Sequence, residues 1–312
     1  MAKQPRILAG ETAAITGGAR GIGRVTAKAL LAQGMRVAIG DVDADAAVAT
    51  AAELGPSAVG LPLDVTDRSS FAAFLAAAER ELGPIDVLVN NAGIMPLGAF
   101  VEEDDATAHR IIDINLHGVI TGMKLALPSM IARRRGHVVN IASQAGKYGF
   151  PGGATYCASK AAVINLSRAV RKELRGTGVE LSLISPVAVN TELGLGLVEP
   201  RQRLFRKVEP QEVADAIVQT LRVPSFDVHV PSQLAISERV SALLPLSLQE
   251  GFSRVMKADA VLGQADSSAR AGYELRAARS EPGLLDESEQ RQLASSAGGP
   301  APAEDEGAPG ES

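Results

Sequence analysis

Seven short apolar runs, separated by six stretches of helical character, constrain this chain more than any other feature. The runs are 12–16, 36–40, 58–61, 85–90, 137–142, 179–184 and 226–230. They are rich in Val, Ile and Leu and show little polar alternation, the pattern of strands buried on both faces. Helices are expected between them, near 22–33, 43–54, 67–82, 103–134, 155–175 and 209–222. Gly34, Gly55, Gly83, Gly136 and Gly176 fall at the ends of five of these, where C-terminal caps belong. Strands alternating with helices imply right-handed crossovers, hence an α/β fold built on a doubly wound parallel sheet of seven strands with helices on both faces. No internal repeat of solenoid length interrupts the series.

Composition then excludes several classes. Aromatic residues are 3% with no Trp, too few to stack bases widely. The single cysteine, Cys157, permits no intramolecular disulfide and no cysteine-cluster metal site. His109, His117, His137 and His229 lack ligand spacing, so no metal is expected. The first eight residues carry no apolar signal region, and no run of 18 apolar residues suggests a transmembrane helix. These features point to a cytoplasmic setting.

The net charge of −5 is unevenly spread. Residues 281–312 hold eight acids and one base, so that stretch is −7 and the other 280 residues are +2. Neither part offers the basic face that nucleic acid requires. Past Pro231 the pattern changes to a greasy segment (Leu234, Val240, Leu243, Leu244, Leu246 and Leu248, broken by Pro245) and a helical stretch from Tyr273 to Ala278. We therefore expect a core over 1–232, a helical extension over 233–280 and a disordered acidic tail over 281–312.

After the first run comes Thr16-Gly17-Gly18-Ala19-Arg20-Gly21-Ile22-Gly23. Gly17, Gly21 and Gly23 allow a tight turn and close approach to a pyrophosphate, at a helix start that supplies free N–H groups. The spacing is G-x-x-x-G-x-G, so its position in the first strand–helix turn carries the argument. Asp41 ends the second run, where a carboxylate can accept both ribose hydroxyls and repel a 2′-phosphate. NAD is therefore favoured over NADP. Asp41 could instead cap the next helix, and Arg20 pulls toward a 2′-phosphate, so NADP stays open. Asp64 and Val65 follow the third run and could meet the adenine, although Asp64 could equally cap a helix. Asn90-Asn91-Ala92-Gly93 follows the fourth, where small residues suit a cofactor lying across the sheet edge.

Tyr156 and Lys160 are four apart on an expected helix and share a face. Ser143 ends the fifth run, and Asn115 lies within the long helix before it. Singly, each has an ordinary packing or solvation role. Together they suit acid/base chemistry: a tyrosine ionises near pH ~10, and a nearby ammonium or an oxidised nicotinamide would lower that value. Ser143 could hydrogen-bond the substrate oxygen, Lys160 could hold the nicotinamide ribose, and Asn115 could hold a relay water.

These residues resemble the classical short-chain dehydrogenase/reductase family. The carriers are TGGARGIG at 16–23, NNAG at 90–93, Asn115, Ser143 and Tyr156-Cys157-Ala158-Ser159-Lys160, in matching order over about residues 8–231. The resemblance implies a Rossmann-like fold, a homodimer or homotetramer, and hydride transfer between a substrate carbon and the nicotinamide. It implies Tyr156 as general acid/base, Ser143 as orienting hydroxyl, Lys160 as the group lowering the tyrosine pKa, and Asn115 as holder of the relay. Gly17, Arg20, Gly21, Ile22, Gly23, Asp41, Asp64, Val65, Asn91, Ala92, Gly93, Tyr156, Lys160, Pro186, Val189 and Thr191 would line the cofactor. One departure stands out: Val187 follows Pro186 where the family commonly has glycine. Either the backbone there avoids positive φ or the pocket is narrower.

Ser143, Gln144, Tyr148, Met95 and Val187 are the expected substrate contacts, with Lys147 and Pro96 beside them. Residues 192–198, with Gly194, Gly196 and three leucines, would cover the site. The expected substrate is a lipophilic alcohol or ketone of steroid, retinol or fatty-chain type. Two alternatives remain: a dinucleotide-sensing regulatory protein, or an enoyl reductase or epimerase on the same fold.

Overall fold

A computed structural model of the chain describes residues 4–194 and 206–235, together with Arg270 and Tyr273. In chain order the elements are β1 (Thr12–Thr16), α1 (Gly21–Ala32), β2 (Arg36–Asp41), α2 (Ala44–Leu54), β3 (Ala58–Pro62), α3 (Arg68–Leu82) and β4 (Val87–Asn90). There follow α4 (Asp105–Ile112), α5 (Gly118–Ala132), β5 (Gly136–Ile141), α6 (Ala154–Glu173), β6 (Val179–Pro186), α7 (Pro210–Arg222) and β7 (Asp227–Val230). The strands form one parallel sheet in the order β3-β2-β1-β4-β5-β6-β7. The order reverses between β1 and β4, which opens a crevice at the C-terminal ends of those strands, where ligands bind in such sheets.

The apolar runs serve two cores at once. Successive residues of a strand point to opposite faces. Ala14, Leu88, Val138 and Leu183 accordingly join Phe71, Phe74 and Met130 on one side of the sheet. Their neighbours Ile15, Val89, Val139 and Ile184 join Leu30, Ile39 and Ile217 on the other. A polar alternation would have put charge into one of these layers.

Two expectations about helices are corrected. The stretch 103–134 is helical without a gap over 105–132, but not regular: a π-helical turn over Asp113–His117 lies between α4 and α5. Gly136 is not a cap: it opens β5, and a Cβ there would meet Met130 Sδ at 2.6 Å. The left-handed residue after α5 is Arg134 (φ 52°). Its N–H donates to Ile131 O at 2.9 Å and that of Arg135 to Met130 O at 3.0 Å, the paired bonds of a Schellman end. Gly34, Gly55, Gly83 and Gly176 do take positive φ at helix ends.

Among the described residues no helix is long and apolar enough to cross a membrane, and no three His, Cys, Asp or Glu side chains gather as metal ligands. Residues 195–198, the greasy segment from Val240 to Leu248, most of the stretch from Tyr273 to Ala278 and the tail 281–312 lie outside the described residues.

Candidate active site

The glycine loop is shaped by steric demand and then buckled from the side. Gly17 and Gly21 take φ of 61° and 53°. A Cβ on Gly23 would fall 2.4 Å from Gly17 O. Only glycine lets α1 start this close to the end of β1, which leaves a cradle of backbone at the helix N-terminus. Asn91 Nδ2 donates to the carbonyls of Thr16 and Gly17, at 2.9 Å each. The Thr16 hydroxyl accepts from the N–H groups of Asn91 and Ala92, at 3.0 Å each. Asn91 is thus a brace between the ends of β1 and β4. Its side chain holds backbone, a role that sequence alone did not suggest. Ile22 packs against the second core cluster.

Asp41 ends β2 with its carboxylate turned to this loop. It accepts from Ala19 N–H at 3.1 Å and from Asp43 N–H at 3.2 Å. Burial pushes its pKa up, while those two N–H groups and Arg20 act against the shift. The cap of α2 is Asp43, which accepts from Ala46 N–H at 3.0 Å, so Asp41 is not used as a cap. Arg20 is paired with Asp43 at 2.5 Å. Asp64 accepts from the N–H and hydroxyl of Thr66 at 2.8 and 2.7 Å. Asp67 caps α3 in its place. Val65 is buried against Gly118 at the start of α5.

Across the crevice, four polar side chains converge. Ser143 follows β5, accepts from Ala145 N–H at 3.1 Å and donates to Pro186 O at 3.5 Å. The Ser143 hydroxyl also acts on Tyr156, favouring its ionised form. Tyr156 and Lys160 sit one turn apart on α6 and both are buried. The Lys160 ammonium donates to Ile141 O at 3.0 Å and stands 5.9 Å from the centre of the Tyr156 ring. Asn115 lies in the π turn, a rare geometry that often marks functional sites. It donates to Ile94 O at 2.9 Å and to Ser159 Oγ at 3.1 Å, and accepts from Ile94 N–H at 2.8 Å. A Cβ on Gly93 would lie 3.1 Å from Asn115 Oδ1 and 3.4 Å from Lys160 Nζ. Glycine there keeps open a space floored by both groups.

Burial sets the electrostatics. It pushes Tyr156 up to about 12, with the Ser143 hydrogen bond acting the other way. It lowers Lys160 to about 8. In the folded chain alone, removing a phenolate from water costs more than the Ser143 hydroxyl returns. Cys157, next to Tyr156, is buried and its thiol is pushed up by that burial, as a packing residue would be.

The loop after β6 completes the rim. Val187 donates its N–H to Val230 O at 3.0 Å. Arg134 is the only non-glycine with positive φ among the described residues, so Val187 takes the usual glycine position without left-handed backbone. Val189 bridges to Val208, and the Thr191 methyl lies 3.4 Å from where a Gly21 Cβ would be, over the glycine loop. Gln144 turns its amide to Ser185 O and His229 Nδ1, at 2.9 Å each. Lys147 is in an ion pair with Asp227 at 3.0 Å, while Tyr148 is exposed. Met95 is buried, its backbone bonded to Tyr273 and Arg270 from far down the chain. Those two contacts have no local sequence signal.

A glycine cradle at a helix N-terminus, a carboxylate at the end of the neighbouring strand and a buried Ser–Tyr–Lys set define a dinucleotide-dependent oxidoreductase. Residues 11–201 match the family described as short chain dehydrogenase. The chain belongs to the short-chain dehydrogenase/reductase family. It is 44% identical over 186 residues to a sorbitol dehydrogenase of Cereibacter sphaeroides, covering 59% of this chain and 73% of that protein. It is 37% identical over 217 residues to a galactitol 2-dehydrogenase of Agrobacterium fabrum, covering 69% and 84%. The crystal structure of a short chain dehydrogenase/reductase from Burkholderia phymatum in complex with NAD superposes with a TM-score of 0.69 at 26% identity, covering 76% of this chain and 94% of that one. The protein is thus a nicotinamide-dinucleotide oxidoreductase of the CH–OH class.

Proposed function

We propose that the protein interconverts a lipophilic secondary alcohol and its ketone with NAD as cofactor, and that Tyr156 is the general acid/base. The observation that carries this reading is that Lys160 stands one turn from Tyr156 on α6, 5.9 Å from its ring centre, and shares with Asn115 the space left by Gly93. When bound, the nicotinamide supplies or accepts the hydride. The chain supplies the rest. Ser143 holds the substrate oxygen beside the Tyr156 hydroxyl, and Tyr156 gives that oxygen a proton in reduction and takes it in oxidation. Lys160 places a cation near the phenol, and Asn115, beside it across Gly93, holds a water that passes the proton onward.

Three features support the finer points. Asp41 ends β2 beside the glycine loop, free of a capping role and suited to accept ribose hydroxyls, and Arg20 is engaged by Asp43, which favours NAD. Ile94, Met95, Phe150 and Leu193 share an apolar cluster with Tyr156, which favours a lipophilic substrate. The family resemblance favours a homo-oligomer, and the one buried cysteine suits a reducing cytoplasm. A second reading, a polyol substrate, is favoured by the sorbitol and galactitol dehydrogenase relatives.

Absorbance of NADH with a panel of secondary alcohols of rising chain length, their ketones and linear polyols decides between the two. Preference for polyols would overturn the lipophilic assignment. Tyr156→Phe is expected to bind NADH as the parent does and to lose at least a thousandfold in kcat. Retained turnover would remove Tyr156 from its role, and no turnover of any compound would favour a dinucleotide sensor.

A further inference from the structure

Two consecutive residues in the wall of the site have both backbone groups held by distant side chains. Ile94 is gripped by Asn115, as described above. Met95 donates its N–H to the Tyr273 hydroxyl at 2.6 Å, and its carbonyl accepts from an Arg270 Nη at 2.6 Å. The other Nη of Arg270 donates to Leu193 O at 3.0 Å, two residues beyond Thr191. The guanidinium lies 5.0 Å from the centre of the Tyr273 ring. Arg270 is among the most buried large side chains, and Tyr273 shares an apolar cluster with Met95, Phe150 and Tyr156.

Burying a guanidinium is costly unless its N–H groups find acceptors. Among the described residues its acceptors include main-chain carbonyls of two separate loops, one after β4 and one after β6. The planar fork of arginine presents its donors at a fixed separation, which a lysine cannot imitate. Arg270 therefore sets the distance between those loops, and Tyr273 sets the height of the strip at Met95. Because Ile94 is bonded to Asn115, the same strip is continuous with the catalytic floor. A shift at Met95 would move the apolar wall while leaving the Tyr156–Ser143 contact and the glycine loop in place.

We propose that Arg270 and Tyr273 are positioning residues that fix the substrate wall and so determine which alcohols the site accepts. The proposal rests on the alcohol-oxidoreductase reading above, and its tests separate the two. Tyr273→Phe removes the acceptor of the Met95 N–H, and Arg270→Lys keeps the charge but loses the fork. Arg270→Ala is the stronger variant and need not fold for the question to be answered. The first readout is amide hydrogen exchange, which needs no turnover. Exchange at Met95 should quicken at least tenfold in Tyr273→Phe, with Thr26, in the core of α1, unchanged. The second is kinetic. In both conservative variants KM for the preferred alcohol should rise at least tenfold, kcat should stay within threefold, and the ratio of kcat/KM between long and short alcohols should fall at least tenfold. The NADH dissociation constant, read by fluorescence, should stay within twofold. Unchanged Met95 exchange would overturn the clamp. Equal losses of kcat/KM across the series together with weakened NADH binding would show a merely structural role. If the parent enzyme turns over no alcohol, the functional reading fails while the exchange experiment still decides the clamp.

Discussion

Replacing Lys160 with methionine should abolish turnover and change how stability depends on pH. The ammonium is buried, donates to Ile141 O at 3.0 Å, and has its pKa lowered from 10.5 to about 8 by burial. The folded chain therefore binds this proton more weakly than the unfolded chain does. Between pH 8 and 10.5 the unfolded state retains a proton that the folded state has released, so stability rises with pH across that window. At about 1.4 kcal/mol per pH unit, going from about pH 7.5 to 9.5 should stabilise the parent by about 2 kcal/mol relative to Lys160→Met. Tyr156, at about 12, stays neutral throughout and cancels in the comparison. The hydrogen bond lost at Ile141 shifts the variant's stability at every pH alike, so it also drops out. Methionine nearly preserves the volume of the lysine stem, so packing is little disturbed. Urea unfolding of both proteins at the two pH values gives the difference directly. A difference that stays flat to within about 0.5 kcal/mol would refute a strongly desolvated Lys160. A variant that keeps its turnover would refute the part assigned to the ammonium.

Asn91→Ala should lower stability by about 1–3 kcal/mol, since two carbonyls at the turn lose their donor, and should weaken NADH binding about tenfold; urea unfolding and a fluorescence titration check both. Asp41→Ala should reduce the preference for NAD over NADP in kcat/KM by a factor of about ten or more, equivalent to about 1.4 kcal/mol, whereas an unchanged ratio would detach Asp41 from cofactor choice. Arg134→Gly should raise stability by about 1 kcal/mol, because a side chain at φ 52° carries a left-handed penalty that glycine avoids; a thermal melt shows it as a higher Tm.

The sheet was legible because burial on both faces leaves a strand no freedom in composition. Val138 and Val139 serve opposite cores and both must be apolar. The π turn inside 103–134 was not legible. A π turn takes one extra residue into the turn while keeping helical backbone, and no residue type in Asp113–His117 announces that insertion. Gly136 misled for a related reason. Glycine after a helix signals a turn, but this one is required by the Met130 side chain against it. The left-handed residue became Arg134, whose carbonyl would lie 2.3 Å from a Cβ on Gly178. At Gly136 close approach, not conformational freedom, required the glycine.

The same distinction separates the legible parts of the site from the rest. Tyr156 and Lys160 share a helix face by spacing alone, and Ser143 and Asp41 sit at strand ends that the alternation itself locates. Each is tied to a local element, so its place follows once the element is known. Asn91, Arg270 and Tyr273 act on backbone groups of other segments, and no local period encodes that. Met95 lies 175 residues from Arg270 and 178 from Tyr273. Such bonds need the sheet to exist first, since the switch point between β1 and β4 creates the crevice that the loops after β4 and β6 enclose. The placing of Ser143, Tyr156 and Lys160 is therefore a property of the elements. The shape of the pocket is a property of contacts between them, and it can change while the Ser–Tyr–Lys chemistry stays fixed.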